Sequence, residues 1–184
     1  MLTSINPLGQ RARGHRWGLT VALFTLASVL GGATTGAVLG ALGELVHVPL
    51  WVAALACALA VVLDLGRRVP TGRRQVDEDW LTRYRSWVYA VGFGWQLGTG
   101  VITIVTSAAT YALLVLLVAL GLPAAAIVGA AFGLVRALPL LLGRRAVSPD
   151  LLRALARRLE HARPLAERVT AATLATAAVM LVLG

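Results

Sequence analysis

Gln96, Thr99, Thr103, Thr106 and Thr110 lie three, four, three and four residues apart in the stretch GFGWQLGTGVITIVTSAATY, residues 92 to 111. On an unbroken helix that spacing gathers their amide and hydroxyl groups along one face. Such a face has two uses. Threonine hydroxyls bond back to their own helix's carbonyls, so the face is cheap to bury against another helix. The same groups can also line a path for a small solute or ion. Gln96 is less easily satisfied by its own helix, so it should face protein or water rather than lipid. Packing and a solute path both remain open from the sequence.

Arg136, in AAFGLVRALP, is the single charge well inside an apolar run. Arginine at a bilayer centre costs at least about 2.5 kcal/mol, so its presence there needs a reason. Three are available. It lies about two turns from the end of its run and can snorkel to headgroups. It can pair with Asp64, near the same end of another run, or it can face a substrate. Pro139, three residues on, is expected to kink the helix.

The elements that must position these residues are read from the distribution of charge. The chain has 184 residues, 58% of them hydrophobic and 14% charged, with mean hydropathy +0.80. Between Trp17 and Gly66 the ionisable groups are Glu44, His47, Cys57 and Asp64, and from Trp87 to Val135 no side chain is ionised. A hydrocarbon core of about 30 Å takes roughly 20 apolar residues per helix. Uncharged blocks of this length therefore predict an all-α, polytopic integral membrane helix bundle. The basic start MLTSINPLGQRARGHRWGLT is not read as a secretory signal, because its apolar run exceeds the roughly 7 to 15 residues of a signal core.

Five transmembrane helices are expected, at about 18 to 42, 49 to 65, 95 to 119, 122 to 142 and 166 to 184, the last having 16 uncharged residues. Arginine placement orients them. Threading five spans puts 16 basic residues on one side, in the tail 1–16, the loop 66–86 and the segment from Arg144 to Arg168, and none on the other. Cytoplasmic loops are the basic ones, so the N-terminus is expected to be cytoplasmic. The formal charge of +9 is then explained by orientation and by contact with the bilayer's anionic headgroups. No nucleic-acid partner is expected.

The organisation expected is a tail (1–16), a bundle (17–145), a cytoplasmic amphipathic helix (146–165) and a C-terminal span (166–184). In SPDLLRALARRLEHARP, Ser148 is the expected N-cap and Pro149 the first helical residue, with Pro164 ending the run. Leu151, Leu152, Leu155, Leu159 and Ala162 form one face, suited to a membrane interface or to a docked partner. In DEDWLTRYRSWVY, Trp80, Tyr84 and Trp87 are spaced to sit at headgroup level.

Glycines recur every fourth residue at Gly32, Gly36 and Gly40, at Gly94 and Gly98, and at Gly129 and Gly133. Such ridges let helices approach closely. Each pair of spans starts on a Gly/Thr-rich helix, so the pattern also points to two related halves. No catalytic constellation is present. His15, His47 and His161 are dispersed, no HExxH or phosphate-binding glycine loop occurs, and no cofactor or metal is expected.

QVDEDWLTRYRSWVYAVGFGWQLGTGVITIVTSAATY, followed by GAAFGLVRALPLLL, resembles the cytochrome c biogenesis transmembrane family (CcdA/DsbD-type), over roughly residues 17 to 145. The resemblance implies a bacterial inner (plasma) membrane protein. Members of that family pass electrons from cytoplasmic thioredoxin to extracytoplasmic thiols through one cysteine in the first helix of each half. Here the comparable helices have none, and the one cysteine, Cys57, is in another span, so no family redox residue carries over. The expected function is non-enzymatic and transporter-like. The alternative is a membrane subunit packing against a partner membrane protein or a second copy, and thiol electron transfer comes third.

Overall fold

The computed structural model describes residues 10, 14, 16–66, 69, 84–100, 107–145 and 148–183. Among these, six α-helices and one short 3-10 turn account for the regular structure, and there is no strand. The helices are α1 (Trp17–Val46), α2 (Leu50–Leu65), α3 (Ser86–Thr99), α4 (Ala109–Leu120), α5 (Leu122–Leu142) and α6 (Pro149–Leu183).

Helix ends follow local chemistry. α1 stops where His47 turns left-handed (φ 53°) and its N–H donates to the Gly43 carbonyl at 2.8 Å. Pro49 then caps α2 from an extended conformation. Gly121 (φ 74°) separates α4 from α5. Ser148 caps α6, its Oγ accepting the Leu151 N–H at 3.3 Å.

Close backbone approach sets the register of the bundle. A Cβ added to Gly32, Gly36 or Gly40 would run into the carbonyls of Gly129, Ala125 and Gly121 respectively. The partner number falls as the α1 number rises, so α1 and α5 are antiparallel. Gly94 lies on the Phe24 carbonyl and Gly98 on that of Ser28. Here both numbers rise together, so α3 runs parallel to α1. Ser28 is the joint between all three helices: its carbonyl lies against Gly98 and Gly133, and its hydroxyl donates to the Gly133 carbonyl at 2.7 Å. The second half of the molecule is α2 packed on α4 and α6, with Cys57, Ala60, Ala108 and Ala112 at the centre.

The buried positions of α1 and α5 are mostly Gly, Ala and Ser, while Leu26, Leu30, Val38, Ile127 and Val135 point outward. This is the pattern of helices solvated by lipid, where small residues mediate packing and large apolar ones meet hydrocarbon. Among the described residues, three helices are long and apolar enough to cross a membrane: Trp17–Val46, Leu122–Leu142 and the Arg153–Leu183 part of α6. α2 has 16 residues and α4 has 12. At about 1.5 Å per residue, these make roughly 24 and 18 Å, short of a full hydrocarbon core.

Two sequence expectations change. The span expected at 95 to 119 is divided: α3 ends at Thr99, Gly100 is left-handed (φ 71°), and α4 starts at Ala109. Pro164 does not stop its helix, because α6 continues through it from Pro149 to Leu183. Glu160, whose carbonyl loses its partner at Pro164, is exposed, as is Pro164 itself, so the orphaned acceptor is not buried. The amphipathic segment and the C-terminal apolar segment are therefore one helix.

Candidate functional site

The division of the run expected at 95 to 119 places two helix ends inside the bundle. Gly98 is level with Ser28 of α1, so α3 finishes near Gly31, whose added Cβ would lie 2.5 Å from the Trp95 carbonyl. Val118 is level with Gly43 at the other end of α1. Ala109 precedes Val118 by nine residues, or about 14 Å of helix. α4 therefore starts near the middle of α1, and the two stumps face the same depth.

A broken helix leaves N–H groups at one stump and carbonyls at the other. Each stump is met by a charge from a different helix. Asp64, at the end of α2, accepts the Ala108 N–H on Oδ1 and the Ser107 hydroxyl on Oδ2, each at 2.7 Å. Ser107 Oγ in turn accepts the Ala109 N–H at 3.1 Å. A carboxylate at the partly positive N-terminal end of a helix is electrostatically matched. At the other stump, Arg136 of α5 stands over the Phe132 ring, its Cζ 5.3 Å from the centroid. Its Nη1 lies 3.6 Å from where a Cβ on Gly100 would sit, beside the partly negative C-terminal end of α3. Gly100 is required twice: by its left-handed backbone, and because a Cβ would come within 2.9 Å of the Phe132 ring.

The structure gives Asp64 Ser107 and Ala108 as partners, so the pair with Arg136, one of the three readings open for that arginine, is not formed. The two residues meet opposite stumps because each end of a helix attracts the opposite charge. The polar seam is also redistributed. Gln96 and Thr99 belong to α3, where the Thr99 hydroxyl donates back to the Gln96 carbonyl at 2.9 Å. Thr110 belongs to the first turn of α4. Thr103 and Thr106 lie outside the described residues, as do Trp80 and most of the arginine-rich loop. One continuous face through all five residues needs one continuous helix, which α3 and α4 are not.

Glu44 repeats the Asp64 arrangement at the far end of the bundle, where its Oε1 accepts the Leu122 N–H at 2.9 Å at the start of α5. Both carboxylates of the first apolar block are therefore used on the N-termini of other helices. Sequence reasoning missed Ser107, Phe132 and Glu44. The signal for Ser107 was faint: a serine at a possible N-cap, with a lone acid in another run. Gln10 is fully buried, its Oε1 accepting the Tyr89 hydroxyl at 2.8 Å. Cys57 is a buried free thiol, and no group of three metal-ligating side chains occurs among the described residues.

Among the described residues these features define an all-helical arrangement, with helices long and apolar enough to cross a membrane and two helix ends, of α3 and α4, flanked by Arg136 and Asp64. No protein-family model matches the chain, and no curated protein or solved structure is significantly similar to it.

Proposed function

We propose that this is a small multi-pass membrane protein, transporter-like, that binds or passes a small polar solute at the interruption between α3 and α4. The observation that carries the reading is the pair of helix stumps inside the bundle, with Asp64 at one and Arg136 at the other. Helix ends at membrane depth are tolerated where protein or a water-filled cavity satisfies them. Discontinuous helices whose ends point at a central site are how many carriers bind solutes. Under this reading the chain crosses five times, with α3 and α4 as the two halves of one crossing. The N-terminus and the arginine-rich segments are cytoplasmic, in the inner membrane of a bacterium. Gln96, Thr99, Thr110 and Arg136 are the candidate lining groups. The glycine ridges meet carbonyls of the chain's own helices, and so give no reason to prefer a partner's helix.

The test is substituted-cysteine labelling in intact cells, using a membrane-impermeant thiol reagent in a Cys57→Ser background. Cysteines at Gln96, Thr99, Ser107 and Thr110 should label, while those at outward-facing Ile127 and Val135 should not. If the four positions at the interruption stay unlabelled, the stumps are dry and the reading fails.

A further inference from the structure

We propose that the end of the bundle where α1 and α3 begin binds a phosphate group, free or carried on a lipid. This end lies away from the interruption between α3 and α4, and the proposal stands independently of the transport reading.

Helix direction builds the site. α1 and α3 are parallel, and the register that sets Phe24 against Gly94 and Ser28 against Gly98 puts Trp17 level with Trp87. Two helices therefore start side by side, each turning its first N–H groups and its partly positive end to the same side of the bundle. α1 starts after Arg16 and α3 after Arg85; neither cap residue makes a side-chain hydrogen bond, and neither first turn carries an acid. Two such starts together attract an anion. α5 finishes at this end too, since its Leu140 packs in one cluster with Val21 and Tyr89. Arg144, in the 3-10 turn that follows, offsets the partly negative end of α5. Arg16, Arg85 and Arg144 are all exposed.

The side chains beneath supply the second observation. Gln10 is fully buried; its Oε1 accepts the Tyr89 hydroxyl at 2.8 Å and lies 3.4 Å from the Thr20 hydroxyl. Thr20 and Tyr89 are each the fourth residue of their helix, so the Gln10 amide sits between the first turns of α1 and α3. Among the described residues, its buried Nε2 meets no hydrogen-bond acceptor, and neither does the buried Nε1 of Trp17. Trp17 precedes Thr20 by three residues, on the same face of α1. Both unmet atoms are donors. A buried donor without an acceptor is destabilising, and a bond to an anionic acceptor is stronger than one to a neutral group. The ligand that answers two N–H donors, two helix starts and three guanidinium groups is a small anion with oxygens pointing in several directions. Phosphate has that shape, and arginine matches its oxygens two at a time.

The experiment uses the full chain, labelled with nitrogen-15, in maltoside micelles that contain no phosphate. The indole N–H signal of Trp17, assigned with Trp17→Phe, is followed in two titrations. One adds sodium phosphate in exchange for chloride at constant ionic strength. The other adds phosphatidylglycerol, with diacylglycerol as the uncharged control. One or both phosphate probes should move the Trp17 signal downfield to saturation, while Trp51, at the opposite end of α1, stays fixed. Gln10→Glu keeps an oxygen for Tyr89 but replaces the unmet N–H donor with a carboxylate oxygen, and should weaken binding at least about tenfold. Arg85→Gln, an exposed change that leaves the buried groups in place, should weaken binding and reduce its dependence on salt. A response to phosphatidylglycerol alone assigns the phosphate to a lipid headgroup; a response to sodium phosphate assigns it to a soluble ion. A Trp17 signal that ignores both probes, or that moves equally with diacylglycerol, overturns the proposal. So does wild-type affinity in Gln10→Glu or in Arg85→Gln.

Discussion

Gly98→Ala is the sharpest probe of the packing that brings α1, α3 and α5 together. Its added methyl would run into the Ser28 carbonyl, a backbone atom that cannot rotate aside, so α3 must move away from α1. Overpacking of this kind costs about 1–3 kcal/mol, and a rigid backbone contact belongs at the upper end. Alanine returns about 0.5–1 kcal/mol of helix preference over glycine, which leaves a net loss of about 2 kcal/mol. For a chain of this size, 1 kcal/mol moves the unfolding midpoint by about 2–4 °C, so a drop of about 4–8 °C is expected. Gly18→Ala is the matched control, in the same bundle with nothing within 4 Å of the new methyl. It should raise the midpoint by about 1–4 °C through helix preference alone. Cys57 supplies the assay, since a lone buried thiol reacts with a fluorogenic maleimide only as the fold opens during a thermal ramp in mild detergent. A Gly98→Ala midpoint equal to or above that of the wild type would refute the close-approach geometry.

Glu44→Ala removes the acceptor of the Leu122 N–H and should cost about 0.5–2 kcal/mol in the same assay, with Glu44→Gln falling between the two. Equal midpoints for all three would mean that this carboxylate does not cap α5. Pro164→Leu should restore a backbone donor for the Glu160 carbonyl and remove a penalty of up to about 3 kcal/mol. Amide hydrogen exchange over residues 160 to 168 should slow accordingly, whereas a helix that ended at Pro164 would show no change there.

Much of the architecture is legible in linear order. The run expected at 122 to 142 is α5 itself, that at 49 to 65 differs from α2 by one residue, and Ser148 caps the helix it was expected to cap. The division at Gly100 is not legible in this way. Glycine and threonine in an apolar run serve an intact packed helix as readily as a broken one, and the helical spacing from Gln96 to Thr110 favours the former. Pro164 misleads in the opposite direction, because a proline at a change in composition reads as a stop. Its orphaned acceptor lies in an exposed part of α6, so the helix continues.

Composition and patterning alone determined that this chain is helical and apolar on its outer surface, because partitioning into hydrocarbon is a sum over residues taken one by one. They also located the glycine ridges. The tertiary structure decided which carbonyl each glycine meets, that the run expected at 95 to 119 is two helices, and why Asp64 and Arg136 stand apart. A broken helix persists only if groups from other segments satisfy its freed N–H and C=O ends. The Ser107–Ala108 end is met by Asp64, 43 residues before Ser107, and Arg136 of α5 stands beside Gly100 at the other end, distances along the chain over which no local pattern carries information.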